Sequence, residues 1–207
     1  MKKSILIIAL LFAGISTAQS KYQAGMKKAF SLWSEGKMTE TSQLFERISK
    51  AEPTKWKPAY YAATVEIIGS FQIKDEVKLK AKLTKAQEFL DAATTNSPNN
   101  PEILITQALL NTAYIVFDGQ KYGMTMSMKN GGLYAKALKI APNNPRVIFS
   151  KAQSDIGGAR FFGKSTKPYC AEIKRAIKLS KEENIEEEFY PKFMLERAEQ
   201  ALKDCEK

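Results

Sequence analysis

Three groups of residues in this 207-residue chain have the types and spacing that could carry chemistry. Met124, Met126 and Met128 place three thioether sulfurs at alternate positions, and thioethers are soft ligands that suit Cu(I). Residues 158–165 read Gly-Ala-Arg-Phe-Phe-Gly-Lys-Ser, which formally matches the spacing of a phosphate-binding loop. The third group is the chain's single pair of cysteines. Each group has a structural interpretation besides the chemical one.

For the methionines we favour packing over metal binding. Methionine is unbranched and fills irregular apolar gaps, and these three fall in a segment predicted to connect two helices. A copper site is the alternative, and it requires all three sulfurs to converge.

For residues 158–165 we also favour a structural role over phosphate binding. A true phosphate loop follows a buried strand and opens a helix, so that backbone N–H groups can surround the phosphates. Here the segment follows a predicted helix, and bulky Phe161 and Phe162 stand where backbone would approach a phosphate. We expect no nucleotide site and predict that the two rings cover an apolar seam.

Composition excludes most enzyme classes that a sequence can reveal. The chain contains no histidine, which is the commonest general base and the usual partner of serine and cysteine nucleophiles. The acidic run Glu182–Glu188 precedes a predicted terminal helix, where negative charge stabilises the helix start, so it does not indicate a catalytic pair or a calcium site. We expect a non-enzymatic protein that has no cofactor.

The first eighteen residues have the pattern of a secretory signal. Lys2 and Lys3 precede the apolar stretch Ile5–Ile15, and small residues at positions 16–18 predict cleavage after Ala18. Eleven apolar residues are too few for a membrane span, which needs about 20. No cysteine follows the stretch to accept a lipid. The sequence therefore predicts a periplasmic or secreted protein that is not a lipoprotein and has no transmembrane segment after cleavage.

The charge balance indicates which partners are plausible. Loss of Lys2 and Lys3 on cleavage lowers the formal charge from +10 to +8. Outside the cytoplasm such a charge favours acidic proteins or an anionic envelope surface as partners, and it does not favour nucleic acid. The alternative, that lysines simply keep helix surfaces soluble, is the stronger one.

An internal repeat sets the predicted architecture. Residues 98–101 read Pro-Asn-Asn-Pro and recur 44 residues later at 142–145, and Pro53 lies 45 residues before Pro98. Asn100 and Asn144 are predicted helix N-caps, each followed by a proline at the first helical position. Each unit therefore reads as a helix, a connection and a second helix.

The repeat pattern resembles the tetratricopeptide repeat family. The small residue that the family places midway along each first helix is found at Ala29, Ala63, Ala108 and Ala152. The second helices follow the family's pattern at Phe45, Ile48 and Pro53, then at Ala86, Leu90, Ala93 and Pro98, and then at Tyr134, Ala137 and Pro142. The family's period is 34 residues, so the longer period here predicts about ten extra residues between paired helices, near positions 70–75 and 119–132.

This resemblance implies an all-α, right-handed α-solenoid of about four helix hairpins and a C-terminal capping helix. The expected units span residues 22–53, 54–98, 99–142 and 143–181, with the capping helix at 188–204. Together they make one domain over residues 19–207, after the signal peptide at 1–18.

The resemblance also implies a binding groove lined by the first helices, with a protein or peptide as the partner. The positions carried over from the family are Met26, Phe30, Trp33, Tyr60, Thr64, Ile67, Ile105, Leu109, Phe149, Gln153 and Ile156. The alternative is a carrier of a small ligand or of copper that uses Met124, Met126 and Met128.

The predicted helices bring the two cysteines close together. Cys170 opens the last second helix and Cys205 closes the antiparallel terminal helix, so both lie at the same end. We predict a disulfide, with two free thiols as the alternative.

Overall fold

The computed structural model of the chain describes residues 21–206. Every regular element in this part of the chain is a helix, and it contains no strand. The predicted signal peptide, residues 1–18, lies outside the described residues. The described chain divides into two compact units, one of residues 21–72 and 77–96 and the other of residues 73–76 and 97–206.

The first unit contains four helices. Helix α1 covers residues 21–34, and α2 (Met38–Ala51), α3 (Trp56–Ser70) and α4 (Glu76–Asn96, whose first residue belongs to the second unit) follow. Gly36 makes the tight turn between α1 and α2 with φ at +76°, a conformation that costs glycine little.

The core of the first unit forms around α3. Residues 59–63 of α3 are all buried, as expected of a helix that is apolar on every side. Small residues such as Ala29 and Ala63 have no exposed surface, which lets neighbouring helix backbones approach closely. Phe45 of α2 and Leu83 of α4 are also fully buried.

The second unit contains the remaining helices: α5 (Pro101–Phe117), α6 (Gly119–Ile140), α7 (Pro145–Phe161), a short 3₁₀ helix (Lys167–Tyr169), α8 (Cys170–Glu182) and α9 (Leu195–Glu206). The predicted helix caps are confirmed. Asn100 Oδ1 accepts the Glu102 N–H at 2.9 Å, and Asn144 Oδ1 accepts the Arg146 N–H at 2.9 Å.

Two packed hairpins form the second unit, α5 with α6 and α7 with α8, and α9 packs on α8. Ala108, Ala137 and Val147 form the core between the hairpins and have no exposed surface. Ala198 of α9 is equally buried against α8, where Ile173 also lies in the core. Helix α5 is therefore buried on several sides, whereas α6 and α8 each bury a single stripe.

The extra residues of the long repeat form a connection at one predicted position, residues 71–75, and part of a helix at the other. The prediction of a loop over residues 119–132 is wrong, because α6 starts at Gly119 directly after Asp118, whose carboxylate caps it by accepting the Lys121 N–H at 3.0 Å. In the first unit, α4 is 21 residues long and only residues 71–75 connect it to α3. An added helical turn pairs its backbone groups within the helix, whereas a loop needs side chains or water for the same purpose.

The terminal helix starts later than predicted. It begins at Leu195 instead of residue 188, and residues 183–194 are irregular, with Phe189 at a φ of +59°. Pro191 prevents a helix from running through Tyr190, since proline disfavours helical backbone at the residue before it. No helix within residues 21–206 is both long and apolar enough to cross a membrane.

Candidate functional site

An open cleft of about 280 Å³ lies in the second unit between α7 and α9. Its volume is at the lower end of the range for ligand pockets, about 300 to 1,000 Å³. The cleft is lined by Gln153, Ile156, Arg160, Arg197, Gln200, Ala201 and Asp204. Two of these, Gln153 and Ile156, are among the predicted groove positions.

Helical spacing explains why these side chains share the cleft. Gln153, Ile156 and Arg160 are three and then four residues apart, which places them along one face of α7. The residues from α9 follow the same rule, from Arg197 to Asp204. Ile156 is only 3% exposed and forms part of the apolar wall.

The cleft carries two cations that have no protein partner. Arg160 and Arg197 are both exposed, and neither guanidinium has an ion pair or hydrogen bond with any residue in the described part of the chain. Asp204, in contrast, accepts a hydrogen bond from the Gln200 side chain at 3.1 Å. The arginines are therefore available to a ligand.

A disulfide holds α9 in place beside this cleft. Cys170 and Cys205 are bonded, with sulfur atoms 2.06 Å apart and Cα atoms 5.8 Å apart. Both cysteines are buried, and the bond joins the start of α8 to the end of α9. It fixes the helix that supplies four of the lining side chains.

Two exposed aromatic rings follow the cleft at the end of α7. Phe161 and Phe162 are 69% and 71% exposed, and their ring centroids are 5.1 Å apart in an edge-to-face arrangement. Gly163, at a φ of +63°, turns the chain here, and Lys164 Nζ lies 6.0 Å from the Phe162 ring centre. The expectation that these rings cover an apolar seam is wrong, since most of their surface faces water.

The same geometry disfavours phosphate binding by residues 158–165. The segment forms the carboxyl end of α7 and the turn after it, so it does not open a helix. The partial charge at that helix end is negative and repels anions.

The predicted groove residues divide into buried and accessible sets. The buried set is Met26, Tyr60, Ile67, Ile105, Phe149 and Ile156. The partly exposed set is Phe30, Trp33, Thr64, Leu109 and Gln153. Buried members shape the core of their own unit, so the partly exposed set provides the area that a partner could contact. The assignment of the groove as a binding surface stays a prediction.

In the first unit, four aromatic rings form a cluster made of Phe30, Trp33, Phe45 and Tyr61. Phe30 lies 4.7 Å from Tyr61 and 5.3 Å from Phe45 between ring centroids, both edge to face. The planes of Phe30 and Trp33 differ by 6°, with centroids 6.3 Å apart. Because these two rings are only half-buried, the cluster has an accessible aromatic edge.

The methionines lie on α6 and not in a loop. Met124 and Met128 are four residues apart on one face, 82% and 70% exposed, whereas Met126 is two residues from each and therefore on the opposite side of the helix. The three sulfurs do not converge on one side of the helix, and the predicted packing fails for Met124 and Met128, whereas Met126 is half-buried. In residues 21–206, no group of three histidine, cysteine, aspartate or glutamate residues could hold a metal ion.

Sequence reasoning missed a buried ion-pair network in the second unit. The Glu102 side chain has no exposed surface, and its Oε1 accepts from Arg146 Nε at 2.9 Å and from Asn144 Nδ2 at 2.7 Å. Arg146 also donates to both carboxylate oxygens of Glu183 at 2.7 Å, and Tyr190 packs against its guanidinium at 5.3 Å. The available signal was the pair of opposite charges directly after Pro101 and Pro145, at equivalent repeat positions.

This network shifts two pKa values. Burial lowers the pKa of Arg146, but the hydrogen bond to Glu183 and the charge of Glu102 outweigh burial and raise it above its usual value. Burial, together with the charge of Glu102, raises the pKa of Tyr190. Both groups therefore keep their usual protonation state at neutral pH, and the network is a structural element.

The chain's sequence matches no protein-family model and no curated protein. A solved structure described as the HusA haemophore from Porphyromonas gingivalis is similar in fold, with a TM-score of 0.74 and 23% identity. The match covers 88% of this chain and 91% of that one. At this level of identity, the likeness establishes a shared all-helical fold.

Proposed function

We propose that the protein is a non-enzymatic carrier of a small, largely apolar ligand of the haem class, acting outside the cytoplasm. The fold shared with a haemophore supports a carrier, although a fold alone does not determine the ligand. The observation that carries the proposal is the exposed ring pair of Phe161 and Phe162 with Lys164 beside it.

Exposed aromatic surface of this size favours a ligand. Water contact with two phenyl rings is unfavourable by about 25 cal/mol per Å² of apolar area, so a flat apolar molecule gains by covering them. Haem offers a flat apolar macrocycle, and its carboxylates would be attracted by Lys164. Because the chain has no histidine, binding would rely on ring contact and charge and not on an imidazole ligand to iron.

Absorbance titration with haemin and with metal-free protoporphyrin tests this function. We expect both to bind, because no imidazole ligand is involved, and we expect Phe161→Ala with Phe162→Ala to weaken both by at least about tenfold. Val116→Ala with Met128→Ala removes other exposed apolar side chains of the same unit and is expected to leave the affinity unchanged. Wild-type affinity in the phenylalanine variant would contradict the proposal.

Export and the solenoid arrangement belong to the same proposal. Residues 1–18 would direct the chain out of the cytoplasm, and the helix hairpins, which resemble tetratricopeptide repeats, would stack into a right-handed solenoid. The run of helix pairs along the chain supports this arrangement.

Peptide binding is the second candidate function, and the half-exposed parallel rings of Phe30 and Trp33 favour it. In a Trp56→Phe variant, Trp33 becomes the only tryptophan. A blue shift of its emission on addition of amphipathic helical peptides would support a peptide groove. An unchanged spectrum across such peptides would exclude this surface.

A further inference from the structure

The α7–α9 cleft of the second unit is lined by two arginines. Arg160 enters from α7 and Arg197 from α9, so two positive charges line one cavity. Two like charges facing a common space repel each other unless a counterion lies between them. Neither guanidinium has an ion pair in the described chain, and the two positive charges of the lining exceed the single negative charge of Asp204.

The rest of the lining indicates what kind of anion fits. Ile156 and Ala201 provide an apolar wall, and the amides of Gln153 and Gln200 add neutral hydrogen-bonding groups. Asp204 supplies one negative charge, which leaves the cleft with a net charge of about +1. A singly charged carboxylate on an apolar body matches the net charge and the apolar wall, and Asp204 repels it less than it would repel a dianionic phosphate.

We infer that this cleft is a binding site for the carboxylate of an organic anion. The two guanidinium groups hold the carboxylate oxygens, and the apolar part of the ligand lies on Ile156 and Ala201. Arginine suits this role because its planar fork of donors matches a carboxylate.

The site extends the proposed carrier function, and this step depends on that function being correct. Arg160 is followed directly by Phe161 and Phe162, so the Arg160 end of the cleft adjoins the exposed rings at the carboxyl end of α7. A haem-class ligand could then place a carboxylate in the cleft while its macrocycle covers the rings.

Two titrations of the full chain test the inference. The first compares haemin with its dimethyl ester, which lacks free carboxylates, by absorbance. The second measures 2-naphthoate, a small aromatic carboxylate, by calorimetry, with inorganic phosphate as competitor. The variants are Arg160→Gln with Arg197→Gln, and the control Lys136→Gln with Lys139→Gln, which removes the same charge from exposed positions on α6.

We expect haemin to bind the wild type at least about tenfold more tightly than its ester, and 2-naphthoate to bind without displacement by equimolar phosphate. The arginine variant should lose the tenfold preference and the naphthoate binding while keeping its helix content and its affinity for the ester. The lysine variant should behave like the wild type.

The outcomes separate the two proposals. If neither haemin nor its ester binds, the proposed carrier function is wrong. The titration with 2-naphthoate then tests by itself whether the cleft binds a carboxylate. Three results would each overturn the carboxylate site. The first is that 2-naphthoate does not bind the wild type, and the second is that it binds the arginine variant as well. The third is that phosphate competes with 2-naphthoate equally. Equal binding of haemin and ester would exclude the cleft as the place where a haem carboxylate binds.

Discussion

Among single residues, Arg146 has the largest expected effect on stability. It is nearly fully buried and neutralises Glu102, which has no exposed side-chain surface. We predict that Arg146→Met lowers the free energy of unfolding by about 3 to 5 kcal/mol, because it leaves a buried carboxylate without a counterion. Urea denaturation followed by circular dichroism measures the change.

The double variant Arg146→Met with Glu102→Gln serves as the control for this ion pair. Removing the charge from both partners should recover part of the lost stability, since the carboxylate that remains, Glu183, is partly exposed to water. A single variant that loses less than about 1 kcal/mol would show that Glu102 is solvated and that the network contributes little.

Glu66 of the first unit is expected to make stability depend on pH. Burial raises its pKa, but hydrogen bonds from Lys82 and Ser42 outweigh burial and hold the pKa below the ordinary value of 4.5. A lowered folded pKa means that the stabilisation exists above 4.5 and is lost as pH falls through the lowered value. We predict that Glu66→Gln reduces stability at pH 7.

Urea midpoints at pH 7 and at about pH 3 test the Glu66 prediction. The gap between wild type and Glu66→Gln should narrow at the lower pH, where the wild-type carboxylate becomes protonated. Glu88, exposed in the middle of α4, provides the control, and Glu88→Gln should change neither midpoint appreciably. A gap that stays constant with pH would contradict a charged role for Glu66.

Among the helices, the capped start of α7 is expected to contribute more than that of α5. Asn144 accepts from two backbone N–H groups and also donates to Glu102, whereas the side-chain oxygen of Asn100 accepts only from the Glu102 N–H. We predict a loss of about 2 kcal/mol for Asn144→Ala and about 1 kcal/mol for Asn100→Ala in thermal or urea unfolding. A larger loss of stability for Asn100→Ala than for Asn144→Ala would show that the hydrogen bond from Asn144 to Glu102 does not stabilise the fold.

The link between α8 and α9 gives a second prediction for the helices. Cys170 and Cys205 are 35 residues apart, and closing that loop is expected to stabilise the fold by about 3 to 4 kcal/mol. Cys170→Ala with Cys205→Ala should lower the free energy of unfolding by that amount, and reducing agent should then have no further effect. Equal stability of wild type and variant under oxidising conditions would rule out this contribution.

For the whole molecule, export is the property that most needs a direct measurement. We predict that the protein recovered from outside the cytoplasm begins at Gln19, because the signal pattern favours cleavage after Ala18. Intact mass spectrometry checks the start of the chain. Uncleaved protein confined to the cytoplasm would contradict both export and an oxidising environment for the cysteines.

Local signals in the sequence determined much of the architecture. The repeated Pro-Asn-Asn-Pro segments predict where α5 and α7 begin, because an asparagine cap followed by proline needs no information from distant residues. The small alanines similarly predict close helix packing, and Ala63 and Ala108 are both fully buried. The helix formed by the inserted segment was missed, although Asp118, which caps it, is a local signal of the same kind.

Tertiary structure alone decided which side chains share a site. Gln153 and Ile156 were predicted to line a binding surface from repeat spacing, but the arginines of the cleft come from helices far apart in sequence. The pairing of Arg146 with Glu102 and with Glu183 also depends on three distant segments meeting, and it encloses the fully buried Glu102 side chain. Helix starts and apolar faces follow from neighbours along the chain, whereas charge pairing and cavity shape follow from long-range packing.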